Sequence, residues 1–182
     1  MAWEITPEEL LVRYDDGERN FAGIKLIYSY GAPTHYSGID LKGIVLRDIN
    51  LRGAYFEQIS MVGIDLTGAD LGGVFLNECN VCDAIIRDAY FCGASLIRSS
   101  FHNADLRGSI MRYINATLAV FRGANMIDVT FEEAVLDNTN FQGASITNNR
   151  IYSLYNLILN TTMPDGTVVK GPQWGNGHGG TM

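Results

Sequence analysis

The chain is poor in cysteine, proline and charge, and it has no long apolar run. Three cysteines in 182 residues make no disulfide framework and fit a reducing compartment. Charged residues make up only 18% of the chain and apolar ones 47%, which argues against intrinsic disorder. No apolar stretch approaches the roughly 18 residues that a membrane-spanning helix needs. The N-terminus has neither a basic region nor an apolar segment of the kind that opens a secretory signal, so a cytoplasmic location is expected. A net charge of −7 disfavours direct binding to nucleic acid or a membrane surface. The length suits one ordinary domain or one long repeat array.

The chain does have a period. Reading every fifth residue from Tyr36 to Ile146 gives 23 positions, all apolar, of which only Ala116 is small. Two places earlier in each unit, from Ile39 to Ala144, stand 22 smaller residues, 10 of them Ala and 6 Ile. A helix repeats near 3.6 and a strand near 2.0, so neither explains a period of five. Two inward residues spaced two apart need a short extended segment followed by a corner. Gly43, Gly53, Gly63, Gly68, Gly73, Gly93, Gly108, Gly123 and Gly143 recur where that corner falls, the place for a residue without a Cβ. Four segments and four corners predict a square coil of about twenty residues, stacked on the next by ladder hydrogen bonds.

Units such as Ala69-Asp70-Leu71-Gly72-Gly73, Ala104-Asp105-Leu106-Arg107-Gly108 and Ala124-Asn125-Met126-Ile127-Asp128 resemble the A(D/N)LXX motif of the pentapeptide-repeat family. The first residues and the Thr162–Thr167 segment are similar to its cyanobacterial members. The resemblance implies an all-β solenoid, a right-handed quadrilateral parallel β-helix, over residues 21–151. Residues 36–151 would supply just under six coils, or about 28 Å of shaft at ~4.8 Å per strand.

The ends have their own signals. Thr6-Pro7-Glu8-Glu9 reads as a capping box, Ile5 and Leu10 as a hydrophobic staple and Gly17 as a helix stop, so residues 1–20 are expected to form a helical cap. Residues 27–36 break the pattern while preserving its phase, as a surface loop would. The register fails at Asn156, and Ile151, Leu154, Tyr155 and Ile158 fit one helix face. The segment 152–170 therefore reads either as a cap helix on the last coil or as a contact with another chain. Residues 171–182 read as a flexible tail.

Candidate chemistry is sparse. Cys79-Asn80-Val81-Cys82 has redox or zinc spacing, yet the register turns Cys79 inward and Cys82 outward, and Cys92 falls on the opposite face. His35, His102 and His178 are expected without a ligand or triad partner. Neither a catalytic group, a metal nor a cofactor is expected. Two outward columns are better candidates. Tyr55 and Phe75 form a stacked, exposed aromatic pair of a kind enriched in interfaces. Asp48, Asp88 and Asp128 alternate with glycine in one column, beside Arg47, Arg87 and Arg107 in the next, which would be either a solvated face or a recognition face for a protein.

The expected function is a non-enzymatic scaffold that works through contact with an unknown protein, in some relatives a regulatory role. Other relatives inhibit DNA gyrase by imitating duplex DNA, which makes such mimicry the alternative. Residues 1–19 hold six acids against two bases, and residues 20–150 hold 13 against 10, so the shaft itself is nearly balanced. Duplex DNA carries a charge every ~1.7 Å, which this shaft does not match. A rigid shaft without a cleft makes an enzyme the least favoured reading.

Overall fold

The structure is a computed structural model and describes residues 4–26, 35–37, 40–153 and 155–175. In chain order the elements are β1 (Glu4–Ile5), α1 (Pro7–Asp15), β2 (Lys25–Leu26), β3 (His35–Ser37), β4 (Tyr55–Glu57) and β5 (Phe75–Asn77). There follow β6 (Ile110–Arg112), β7 (Thr130–Glu132), β8 (Val135–Asp137), α2 (Asn148–Ile151), β9 (Leu157–Leu159), β10 (Thr161–Thr162), β11 (Val168–Val169) and β12 (Gln173–Trp174).

Parallel pairing joins residues twenty apart. β4 pairs with β5 through Tyr55–Phe75, Phe56–Leu76 and Glu57–Asn77. Single bridges repeat the offset on four sides of the coil. The first face runs from Asp40 to Asn140, the second from Val45 to Asn125, the third from Asn50 to Thr130 and the fourth from Tyr55 to Val135. These ladders make the molecule a repeat β-helix with twenty-residue turns.

The five-residue period places the core. From Leu41 to Ala144 both inward residues of each unit are buried, and the residue between them is at least partly exposed, Asp65 excepted. Phe101, Phe121 and Phe141 stack above one another, their centroids 5.1 and 5.4 Å apart. Edge contacts of Phe91 with Phe101 at 6.5 Å and Phe131 with Phe141 at 5.8 Å tie neighbouring columns together. Ala116 and Ile114 are both fully buried.

Each described corner from Gly43 to Gly143 takes a positive φ, as expected for Gly53 at 65°, but so do Glu78 at 58°, Tyr113 at 58° and Leu118 at 61°. Glycine is therefore favoured at the corners without being required. The ladder hydrogen bonds on both sides hold side-chain-bearing residues in a conformation that costs an isolated one about 1–2 kcal/mol.

At the N-terminal end the Thr6 hydroxyl accepts the Glu9 N–H at 3.1 Å, and Gly17 follows the helix with φ 100°. Leu10 and Tyr14 turn into the core, and the Tyr14 hydroxyl donates to the Lys42 carbonyl at 3.0 Å. Asn20 bridges Val45, twenty-five residues on, whereas His35 pairs with Tyr55 at the usual twenty. Five extra residues thus lie between them. Most of the expected loop, residues 27–34, lies outside the described residues; His35 and Tyr36 belong to β3 rather than to the loop.

The C-terminal end departs from expectation. The helix α2 stops at Ile151, and Leu157–Leu159 is a strand, not part of a helix face. β9 pairs in parallel with β8 at an offset of twenty-two. Two inserted residues carry the chain past the corner, after which Ile158 and Met163 re-enter the inward register, both buried. Asn156 breaks the apparent period because it takes a small inward position, where its Oδ1 accepts the Ala134 N–H at 2.9 Å. Leu154 lies outside the described residues. β11 folds back antiparallel on β10, and β12 on β9, so the chain to Gln173–Trp174 is paired rather than a free tail. Residues 176–182 lie outside the described residues.

Candidate interaction surface

Pairing of β4 with β5 sets Tyr55 and Phe75 side by side on the fourth face. Their rings stack with centroids 5.0 Å apart and planes at 30°. Phe75 remains 41% exposed. The next two rungs of the column are polar, Ser95 and Asn115, and Ser95 donates to the Asn77 carboxamide at 2.8 Å. The aromatic pair is thus followed by two polar rungs before Val135. A rigid ring gives large contact area at a small loss of side-chain entropy, which suits it to a protein contact.

The charged columns are organised differently from the expectation. Arg47, Arg87 and Arg107 do not pair with Asp48, Asp88 and Asp128. Arg47 Nε donates to Asp65 at 2.7 Å, while Arg87 Nε at 2.7 Å and Arg107 Nη2 at 2.8 Å converge on Asp105. The offset of eighteen residues places the Asp of one unit beside the Arg one coil below. Burial pushes the Asp65 carboxyl up, but hydrogen bonds from Thr67 and Arg47 outweigh it and hold the group below its usual value. Asp105 is held down to about 2, chiefly by hydrogen bonding to Arg107 and then, against some desolvation, to Arg87. The carboxylates lie low and the guanidinium groups, 43–55% exposed, cover them. Asp48 and Asp88 lean instead over Gly68 and Gly108, occupying the room a Cβ would need there. That contact accounts for the alternation of Asp with Gly along this corner.

Two features escaped the reading of the sequence. Tyr90 and Ile110 occupy adjacent rungs of the third face, both exposed, with the Arg52 guanidinium 6.0 Å from the Tyr90 ring centre. Their signal was a large apolar residue at the outward position where Asp or Asn is usual. Asp65 and Asp105 were hidden by treating each column separately, since their partners lie in a different column and a different coil.

Cys79 is buried and its thiol pushed up by desolvation; Cys82 and Cys92 are partly exposed on opposite faces, as the register requires. His102 sits one rung above Cys82, a proximity that reading the histidines alone missed. The Cys82 thiol contacts the Ser100 hydroxyl at 3.1 Å. Among the described residues no group of three or more His, Cys, Asp and Glu could hold a metal ion. Nor is any described helix long and apolar enough to cross a membrane. His35 lies in β3, and His178 is outside the described residues.

A family model for pentapeptide repeats matches residues 44–81, 76–112 and 117–148, more than half of the chain. Among solved structures, the pentapeptide repeat protein Rfr23 from the cyanobacterium Cyanothece 51142 is 17% identical and aligns with a TM-score of 0.55 over 72% of this chain and 97% of its own. That likeness supports the fold. HetL, involved in heterocyst differentiation regulation in Nostoc sp. strain PCC 7120, is 18% identical over 91% of this chain and 100% of its own, with a TM-score of 0.49. A pentapeptide repeat protein of the Arabidopsis thaliana thylakoid lumen is 30% identical over 55% of this chain and 65% of its own, with a TM-score of 0.46. A search of curated proteins gives no match.

Proposed function

We propose, from the premise that this chain belongs to the pentapeptide-repeat family, that it is a non-enzymatic scaffold which binds a protein partner in the cytoplasm. The observation that carries this reading is the stacked Tyr55–Phe75 pair, held on a hydrogen-bonded face with Phe75 open to solvent. Among the described residues the polar groups that converge, Arg87 and Arg107 on Asp105, are taken up by one another as ion pairs. The finer architecture proposed with it is a right-handed, four-sided shaft of about six coils, the hand being that of nearly all parallel crossover connections. The C-terminal segment, paired back on β9 and β10, is read as a cap on the last coil.

The charge pattern favours a protein-binding scaffold over a DNA mimic. Arg47–Asp65, Arg87–Asp105–Arg107 and Arg52–Asp70 interleave both signs along the second and third faces. A mimic of duplex DNA needs an unbroken acidic surface.

Immobilised protein, and the same chain with Tyr55→Ser and Phe75→Ser, would be exposed to extract of the source organism. A discrete protein retained by the first and lost from the second is expected. Retention of the same proteins by both would remove the aromatic pair as the binding surface.

A further inference from the structure

The last turn of the shaft is retraced by the chain itself. After β9 and β10 the chain reverses at Met163–Thr167, where the Met163 N–H bonds the Thr167 carbonyl at 2.8 Å and Gly166 holds φ at 86°. β11 then runs antiparallel to β10, and β12 antiparallel to β9 on the fourth face. All other described pairings are parallel. Residues 163–175 therefore form an arm that folds back around the corner at Asn160, whose φ is 48°.

Two points seat this arm. At its start the Gly143 N–H bonds the Pro164 carbonyl at 2.9 Å. At its end the Tyr155 N–H bonds the Gly175 carbonyl, and the Gly175 N–H bonds the Asn156 carbonyl at 2.9 Å. Gly175 is buried, and a Cβ there would stand 2.4 Å from the Tyr152 carbonyl oxygen. Between the seats little apolar surface is buried. Val169 packs against the core, whereas every residue from Lys170 to Trp174 is exposed. Backbone pairing thus holds the arm more than hydrophobic burial does, and segments of that kind open locally at low free energy.

What the arm covers differs from what it presents. β9 is Leu157-Ile158-Leu159, wholly apolar, and with the arm lifted its far edge carries unpaired N–H and C=O groups. Such an edge pairs readily with another chain. The arm presents instead two strands of two residues each, an exposed Lys170, and an exposed Pro172 with no N–H to donate. Short strands, lysine and proline are the features that keep an edge from pairing further.

We infer that residues 163–175 are a detachable strap that keeps two copies of this chain from joining tail to tail through β9. With the strap lifted, β9 of a second copy takes the place of β12 in the same antiparallel sense, an arrangement that a two-fold axis generates and that closes at two chains. The strap is more than a cap, since it can leave the coil it closes, and it does not depend on the Tyr55–Phe75 surface proposed above.

The test uses Gly175→Val, Gly175→Pro, Gly171→Val, and Gly175→Val combined with Leu157→Lys, all in the full chain. The first drives a Cβ into the Tyr152 backbone, and the second removes the N–H that bonds Asn156. A Cβ at Gly171 meets nothing within 4 Å, so that variant is the control in the same strap. The parent and Gly171→Val should sediment as a single chain at every concentration. In both Gly175 variants the Tyr155 amide should exchange about tenfold faster in dilute solution, the equivalent of one hydrogen bond. Their mass should rise with concentration to that of two chains while the far-ultraviolet spectrum of the shaft is kept. Adding Leu157→Lys should return Gly175→Val to a single chain, because a charge on the strand edge opposes pairing. A parent that is already paired, a freed Tyr155 amide without association, open-ended polymers, or association untouched by Leu157→Lys would overturn the inference. So would an unchanged Tyr155 amide in both Gly175 variants, since the strap would not be held where the structure seats it. Association with loss of the strand signal would also overturn it, because the segment would then hold the fold rather than guard an edge.

Discussion

The inward pair Ile114 and Ala116 offers a sharp test of how this core is packed. In the neighbouring coils the corresponding pairs are Ala94 with Leu96 and Ala134 with Leu136, a small residue followed by a large one. Here the order is reversed, and Ile plus Ala contains the same number of carbons as Ala plus Leu. Both side chains are fully buried. Ala116→Leu alone adds three carbons to a filled layer and is expected to cost about 1–3 kcal/mol through overpacking. Ile114→Ala alone removes three and should cost about 2–5 kcal/mol, the lost burial plus the residual cavity. Together they restore the common pattern at constant volume, so the double variant should lie within about 1.5 kcal/mol of the parent. For a chain of this length 1 kcal/mol corresponds to about 2–4 °C in the melting midpoint, well within reach of a thermal scan. A double variant destabilised by the sum of the singles would refute the reasoning, since it would mean that the two positions do not share one space.

Acid should weaken the second face through Asp105, whose folded pKa of about 2 lies below the ordinary 3.8. A depressed carboxyl contributes stability that is present above its unfolded pKa and lost as pH falls through its folded one. Asp105→Asn should therefore cost about 1–2 kcal/mol at pH 7, discounted for the half-exposed arginines, and little at pH 2; an equal cost at both would show that charge is not the cause. Gly63→Ala and Gly68→Ala should each cost about 1–2 kcal/mol, because both positions hold φ near 70°. The cost at Gly68 should exceed that at Gly63 only slightly, since the Asp48 carboxylate can swing aside. A much larger loss at Gly68, abolished by Asp48→Ala, would show that the carboxylate is fixed there.

What was legible in the sequence follows from how strongly each feature is repeated. The inward columns from Leu41 to Phe141 and the cap helix at Pro7–Asp15 could be read because burial and capping impose residue types at fixed spacings. The C-terminal end could not. A two-residue insertion moves Asn156 onto a small inward position and Ile158 onto a large one, which an unbroken count of five turns into a false helical pattern. The charged pairs were missed for a geometric reason, because Arg47 and Asp65 are neighbours only when the offset between columns is added to the rise of one coil. Ser99 and Ser109 read as merely small. Their hydroxyls bond the Leu76 and Ile86 carbonyls of the coil below, and no local pattern in the sequence reports that relation.

The central claim is that the fourth face, at Tyr55 and Phe75, meets a protein partner. Replacing Phe75 with the photo-crosslinker p-benzoylphenylalanine, and in a separate protein replacing the more exposed Ile127 of the second face, measures this directly in living cells of the source organism. A single crosslinked protein is expected from position 75, absent from position 127 and lost when Tyr55→Ser is added. Crosslinks of equal pattern and yield from both faces, or none from position 75, would contradict it.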